Sequence, residues 1–218
     1  ILIFKYYIIK MFYSQAGQDK FVVESLNYKE NGYFLEIGSA HYDEHNNSYY
    51  LEKELNWNGI MIEYDNNYLK DYIKYRPNSI HVINDAQKID YIKLLELNKV
   101  PNIIDYLQID LDVHNRSTLN VLEKFDKTIF HEYKFATVTF EHDSYRGNFF
   151  NTKELSRSIF KKHGYLLVYP DVSVDHKKTT YGSFEDWYIH PDLVDINRLP
   201  KELIYENSGG WKGFAIKK

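Results

Sequence analysis

Five short apolar runs in the sequence each end in a carboxylate: Glu36-Ile37-Gly38, Glu63-Tyr64-Asp65, Asn84-Asp85-Ala86, Asp110-Leu111-Asp112 and Glu141-His142-Asp143. One acid at the end of such a run is ordinary, because Asp and Asn favour turns. Five in succession describe a sheet edge that meets a ligand, and their chemistry sorts by position. Glu63 lies 25 residues beyond Gly38, where an acid grips the hydroxyls of a ribose. Asp85 suits acceptance of a hydrogen bond from an exocyclic amine such as that of adenine. Glu36, just before the glycine turn, would repel a pyrophosphate and favours a cationic ligand part. The phosphate-binding pattern G-x-G-x-x-G fails, because Ala40 and His41 stand where further glycines would help, and no Walker sequence occurs. An adenosine that carries an amino acid and no phosphate is S-adenosylmethionine.

The acids of the fourth and fifth runs fit a transfer step. Moving a methyl group to a sugar hydroxyl needs in-line alignment and removal of a proton. His142 is the natural base, since imidazole titrates near working pH. Asp110, Glu141 and His142 could instead hold a divalent cation, magnesium or manganese, that lowers the hydroxyl pKa and orients a diol. Asp110 and Asp112 alternate along a strand end, so at most one faces the pocket, and the other is solvated or caps the helix near Asn115. Bland readings stand beside these: Glu63 and Asp85 as helix caps, His142 as a structural histidine, and Trp187 of FEDWYIHP as a packed anchor rather than a platform for a sugar ring.

The chemistry needs a frame, and the hydrophobic pattern supplies one. A helix is expected from Ser14 as N-cap through SQAGQDKFVVESLNYK, stopping at the Asn31-Gly32 turn. YFLEI follows as a strand covered on both faces. SYYLEKELN, YLKDYIKY, IDYIKLLELN, RSTLNVLEKFD and KELSRSIFKKHG then read as helices, alternating with the strands GIMIEY, SIHVIND, IDYLQIDLD, FATVTFEHD and YLLVYPDV. This βαβα succession predicts a parallel sheet with helices on both faces and the ligand beyond the carboxyl ends of the strands. From Ser173 onward the periodicity weakens, and the segment reads as a cap or sheet edge.

Composition narrows the class. The chain has 218 residues, enough for one sizeable core, with 44% hydrophobic and 27% charged residues. A net charge of -4 supplies no basic face for nucleic acid. The absence of Cys fits a reducing compartment. The opening ILIFKYYIIK is too short to span a bilayer and is followed by no small-residue cleavage site, so neither a membrane anchor nor a signal peptide is expected, and the cytoplasm is the expected location. The expected organisation is an N-terminal extension over 1–13 and one domain over 14–218, cut from a longer polypeptide.

The segments YSQAGQDKFVVE, GYFLEIGSAHYDEHNNSYYLEKELNWNGIMIEYD, DYLQIDLD and FEDWYIHPDLV, in this order and spacing, resemble the FkbM methyltransferases, in particular glycan-modifying forms of large DNA viruses. The resemblance runs from about Tyr13 to Asp195. It implies an α/β fold, the Rossmann-like class I methyltransferase three-layer sandwich, with a seven-stranded, mostly parallel sheet and one antiparallel strand near the edge. It also implies S-adenosylmethionine as donor, a glycan hydroxyl as acceptor and fusion to glycan-building domains. Carried over position by position, Glu36, Gly38 and Ser39 form the first cofactor motif, Asn47 and Ser48 open the next helix, Glu63 and Tyr64 meet the ribose, and Asp85-Ala86 meet adenine. Gln15 and Gln18 close over the methionine end. Tyr42 replaces a common family glycine and could narrow the pocket, which leaves a catalytically inactive binding module as the second reading; a dehydrogenase is a third, disfavoured by Glu36 and the missing glycines.

Overall fold

The computed structural model describes residues 12–176, 179–206 and 210–218, so the apolar opening falls outside the described residues. The elements follow in chain order as α1 (Gln18–Ser25), β1 (Tyr33–Ile37), α2 (Tyr49–Leu55), β2 (Asn58–Glu63), α3 (Leu69–Tyr75), β3 (Ser79–Ile83), α4 (Tyr91–Leu97), β4 (Ile103–Ile109), α5 (Ser117–Lys127), β5 (Lys134–Glu141), α6 (Thr152–Lys162), β6 (Leu166–His176), β7 (Thr179–Ile189), β8 (Glu202–Glu206) and β9 (Trp211–Ile216). They build one sheet in the order β3-β2-β1-β4-β5-β7-β6-β9-β8.

Strands β1 to β5 pair in parallel, and strand order reverses between β1 and β4, which are neighbours although two strands separate them in sequence. β7 runs antiparallel between β5 and β6, the one inverted strand expected within a seven-stranded core. Two further strands correct that expectation: β9 pairs antiparallel with β6 and β8 with β9, so among the described residues the sheet has nine strands. The segment after Ser173 is therefore paired strand at the sheet edge, the second of its two readings, and not a cap. Its periodicity was hard to read because β6 contains register shifts between Tyr169 and Val172, at Pro170, which lacks the N–H a regular ladder needs.

Alternation along the central strands divides the core. Phe34, Tyr106 and Trp187 point to one face and pack with Phe21, Leu51 and Tyr72 of α1, α2 and α3. Leu35, Leu107 and Val138 point to the other and pack with Leu95, Val121 and Phe160 of α4, α5 and α6. This is the three-layer sandwich that period-2 burial on both sides dictates. Near the start, α1 begins at Gln18 rather than after Ser14. The Asp19 carboxylate reaches back to accept from the Tyr13 and Ser14 amides, and Gly17 enters the helix at φ 93°, so residues 13–17 form a tight entry loop. Among the described residues no helix is long and apolar enough to cross a membrane.

Candidate active site

Two adjoining cavities open at the carboxyl ends of the parallel strands, and Leu111 and Asp112 line both. The first, about 390 Å³, is bounded by Gly38 after β1, Glu63 and Tyr64 after β2, Asp85 and Ala86 after β3, and Asn115 and Ser117 before α5. Gly38 has φ 90°, and a Cβ there would collide with the carbonyl oxygen of Asp110 on the neighbouring strand. Only glycine lets the chain turn at this switch point. Glu63 holds the turn: Oε2 accepts from the Ala40 amide at 2.9 Å, while Oε1 accepts from the Tyr64 and Asp65 amides at 2.8 and 2.9 Å. Oε2 thus keeps an acceptor site for a ligand hydroxyl. Asp85 accepts from the Gln87 amide at 3.0 Å, so its capping role and its place at the cavity coexist. Tyr64 is 78% exposed at the cavity mouth.

Four expected cofactor contacts lie behind this wall. Glu36, Ser39, Asn47 and Ser48 are buried and line neither cavity. Glu36 Oε2 accepts from Ser48 Oγ at 2.9 Å and Asn46 Nδ2 at 3.1 Å, tying the loop that bounds the cavity to the sheet. Two atoms stay open: Glu36 Oε1 and Asn47 Oδ1 are buried without a hydrogen-bond partner. Gln108, the register partner of Glu36 on β4, likewise leaves its Oε1 unpartnered. Gln18 is corrected further: its amide donates to Glu185 at 3.1 Å and accepts from the Ala16 amide, which commits it to the protein interior. Gln15, by contrast, lines the second cavity.

The second cavity, about 290 Å³, is walled by Asp112, His114, Glu141, Asp143, Tyr145, Arg146 and Trp211, among others. Glu141 lines this cavity, whereas its neighbour Asp110 lines neither cavity, which corrects the expectation that Asp110 meets the acceptor directly. Burial and the neighbouring Asp110 carboxylate push Glu141 well above the usual carboxylate range, and burial raises Asp110 as well. Two carboxyls placed so do not readily ionise together. Burial raises Asp143 despite its contact with Arg146, 3.3 Å away. Asp112 is exposed between the cavities and accepts from the His114 amide at 2.9 Å.

His142 does not join this group. It is 1% exposed and lines neither cavity. Glu141 faces Glu185 in the pairing with β7, whereas His142 turns to the opposite face, where Nε2 lies 3.5 Å from Asp186 Oδ1 and Nδ1 accepts from the Ser144 amide at 3.2 Å. The cation set Asp110, Glu141 and His142 is therefore not assembled. His142 gathers instead with Asp171 and Asp186, whose oxygens already accept from Arg157 and Lys153, leaving that group compensated by two cations.

Two more expectations resolve. Tyr42 stacks on Tyr75 with ring centroids 4.4 Å apart and lines neither cavity, so it does not fill the donor pocket. Trp187 is fully buried, stacked on Phe21 at 5.0 Å and donating to Glu185, which makes it a packed anchor. The residues that the sequence reading passed over, Tyr145, Arg146, His114 and Trp211, come from the loops after β4 and β5 and from β9. The only advance signal was the density of aromatic and charged residues in EHDSYRGNFF.

No protein-family model and no curated protein matches the sequence. Solved structures do match in shape. The precorrin-6y C5,15-methyltransferase of Geobacter metallireducens GS-15 is similar with a TM-score of 0.51 and 12% identity, over 78% of this chain and 87% of that one. The METTL16 MTase domain is similar with a TM-score of 0.51 and 11% identity, over 79% of this chain and 66% of that one. At such identities the likeness is one of fold, and together with the strand order it establishes that the chain has the Rossmann-like class I methyltransferase fold.

Proposed function

We propose that the protein is an S-adenosylmethionine-dependent O-methyltransferase that acts on a sugar hydroxyl of a glycan. The observation that carries this reading is the pair of cavities meeting at Leu111 and Asp112: one shaped by Gly38, Glu63 and Asp85, the other walled by Glu141, whose proton affinity burial and the neighbouring Asp110 raise. Bound S-adenosylmethionine supplies an electrophilic methyl group. The chain's own residues do the rest. Glu63 Oε2 offers an acceptor to a ribose hydroxyl, Asp85 and Ala86 bound the adenine end, and the turn at Gly38 keeps side chains out of the cavity. Behind the wall of this cavity Glu36 Oε1 and Gln108 Oε1 remain buried acceptors without donors. Across the shared wall, a carboxylate whose proton affinity is raised by burial is a stronger base for a hydroxyl proton than an ordinary one.

The sugar acceptor, and the likeness to viral FkbM enzymes, rest on the sequence resemblance. A divalent cation is not part of the reading, because the ligand set envisaged for it does not converge. The inactive-module reading loses its ground with Tyr42 packed on Tyr75.

Calorimetric titration with S-adenosylhomocysteine tests the donor half. Micromolar binding is expected, with no response to NAD in a parallel titration. Glu63→Ala should weaken binding by about 1–3 kcal/mol, the cost of a lost hydrogen bond to a charged group. Absence of binding by the unaltered chain overturns the reading, and an unchanged affinity in the variant removes Glu63 from it.

A further inference from the structure

The second cavity says which sugars it accepts. Its walls carry three carboxyl groups, from Asp112, Glu141 and Asp143, and one guanidinium, from Arg146. That guanidinium is engaged: Nη1 lies 3.3 Å from Asp143 Oδ2, Nε donates to the Tyr145 hydroxyl at 2.6 Å, and the group sits 5.2 Å over the Tyr145 ring. The third functional wall is Trp211, which opens β9 and so belongs to the strands added beyond the seven-stranded core. The His45 ring stands nearly edge-on to its indole, at 5.0 Å and 73°. An aromatic plane beside hydroxyl-pairing carboxyls is the chemistry that holds a pyranose ring, whose C–H faces are apolar and whose rim is polar.

We infer that this cavity is a subsite for an uncharged pyranose, with Trp211 as its platform and Asp112, Glu141 and Asp143 as hydroxyl partners, and that it rejects sugars carrying a carboxylate or phosphate. The inference rests on the proposed sugar acceptor and deepens it. An anionic sugar would stand beside the exposed Asp112 carboxylate and would find no uncommitted cation among the described residues of the cavity wall, since Arg146 is held by Asp143 and His114 lies against Asp112. The added strands β8 and β9 thereby acquire a role: they bring an aromatic residue to the rim from the far edge of the sheet.

Tryptophan fluorescence reads this directly, since Trp57 and Trp187 are both 0% exposed and Trp211 is the half-buried indole at a cavity. The full chain is titrated with methyl pyranosides of glucose, galactose and mannose and with the matching methyl uronosides, with and without S-adenosylhomocysteine. A saturable change with millimolar dissociation constant is expected for at least one neutral glycoside, and binding about tenfold weaker or worse for its uronoside. Saturation-transfer NMR then follows the variants: Trp211→Ala should abolish transfer to the ring protons while S-adenosylhomocysteine affinity stays within about twofold, and Trp211→Phe should restore part of it. Equal binding of uronosides, no binding of any neutral glycoside, or undiminished binding by Trp211→Ala overturns the inference. If S-adenosylhomocysteine binds and no sugar does, the subsite falls while the donor reading stands; sugar binding without S-adenosylhomocysteine binding gives the reverse.

Discussion

Each cavity is backed by a network centred on one arginine, and the two networks lie on opposite faces of the sheet. Behind the donor-side cavity, the fully buried Arg76 donates to Glu52 at 2.8 Å, Asn46 at 3.0 Å, the Tyr42 carbonyl at 3.1 Å and Ser48 at 2.7 Å. Asn46 and Ser48 pass the contact on to one oxygen of Glu36, and the other oxygen has no partner. Behind the acceptor-side cavity, Arg157 grips both oxygens of Asp186 at 2.7 and 2.8 Å and also holds Asp171. The titration behaviour differs accordingly. Burial raises Glu36, and the nearby Arg76 only partly counters it. Burial also pushes Asp186 upward, but the Arg157 hydrogen bonds and His142 outweigh it and hold the carboxyl well below the usual range. Both acids are fully buried, so burial alone does not separate them. What does is direct contact with the arginine: Arg157 donates to both oxygens of Asp186, clamping α6 to β7, whereas Arg76 reaches Glu36, beside the donor turn, only through Asn46 and Ser48 and leaves one oxygen without a donor.

The comparison is sharpest under loss of the arginine. Arg76→Met should destabilise the fold by about 3–5 kcal/mol, because Glu36 and Glu52 remain buried without their cation. Arg157→Met should cost less, on the order of 1–3 kcal/mol, since the Arg157 side chain is 28% exposed and Asp186 keeps the Asp171 amide at 2.8 Å. Urea denaturation of both variants at neutral pH measures the difference. Equal losses would show that the two networks are energetically alike and that the unpartnered oxygen has no consequence.

A second test uses pH and belongs to the acid that joins the two regions. Glu185 is buried between Gln18 and Glu141, and burial raises its pKa from 4.5 to about 8. The folded state therefore holds this proton more tightly than the unfolded chain. Its contribution to stability is fully present below about pH 4.5 and is lost as pH rises through about 8. The decline across that window should be on the order of 3–4 kcal/mol, and Glu185→Gln, which cannot ionise, should flatten it. Denaturation midpoints taken from pH 5 to 9 check the sign; a wild-type profile no steeper than that of the variant places the proton elsewhere.

Legibility in the sequence followed the range of the interactions. The glycine turn at Gly38 and the acids at Glu63 and Asp85 were readable because a strand end and its turn are local, and because parallel order fixes which ends share an edge. Alternation along a strand places the neighbours Glu141 and His142 on opposite faces, which proximity in sequence concealed, and it puts positions two apart, such as Asp110 and Asp112, on one face rather than excluding either. Glu36 carried the right residue type, but its burial behind the loop depends on Arg76, which lies 40 positions away. Trp211 was beyond reach, since β9 meets β6 only through long-range pairing and β6 is itself irregular around Pro170.

His142 gives the smallest expected effect and the finest test of the division between facing and backing residues. Its ring cannot take a proton from an acceptor in the second cavity, because it points to the opposite face and lines no part of that cavity. What it does is local. The Ser144 amide donates to Nδ1, and the His142 and Asp143 amides both donate to the Phe184 carbonyl, at 2.7 and 2.9 Å, so the residue fixes the start of the loop that carries Asp143, Tyr145 and Arg146. His142→Asn keeps a side-chain acceptor at short range and should cost about 1 kcal/mol of stability. Methyl transfer should fall by less than about tenfold, with the loss mainly in the KM for the acceptor and the pH profile of kcat unmoved. Removal of a general base would instead cost about 100-fold or more in kcat and delete a limb of the profile. Profiles of wild type and variant, recorded on the same sugar acceptor, separate the two: a missing limb would return His142 to the reacting group and would require its ring to turn through the sheet edge on binding.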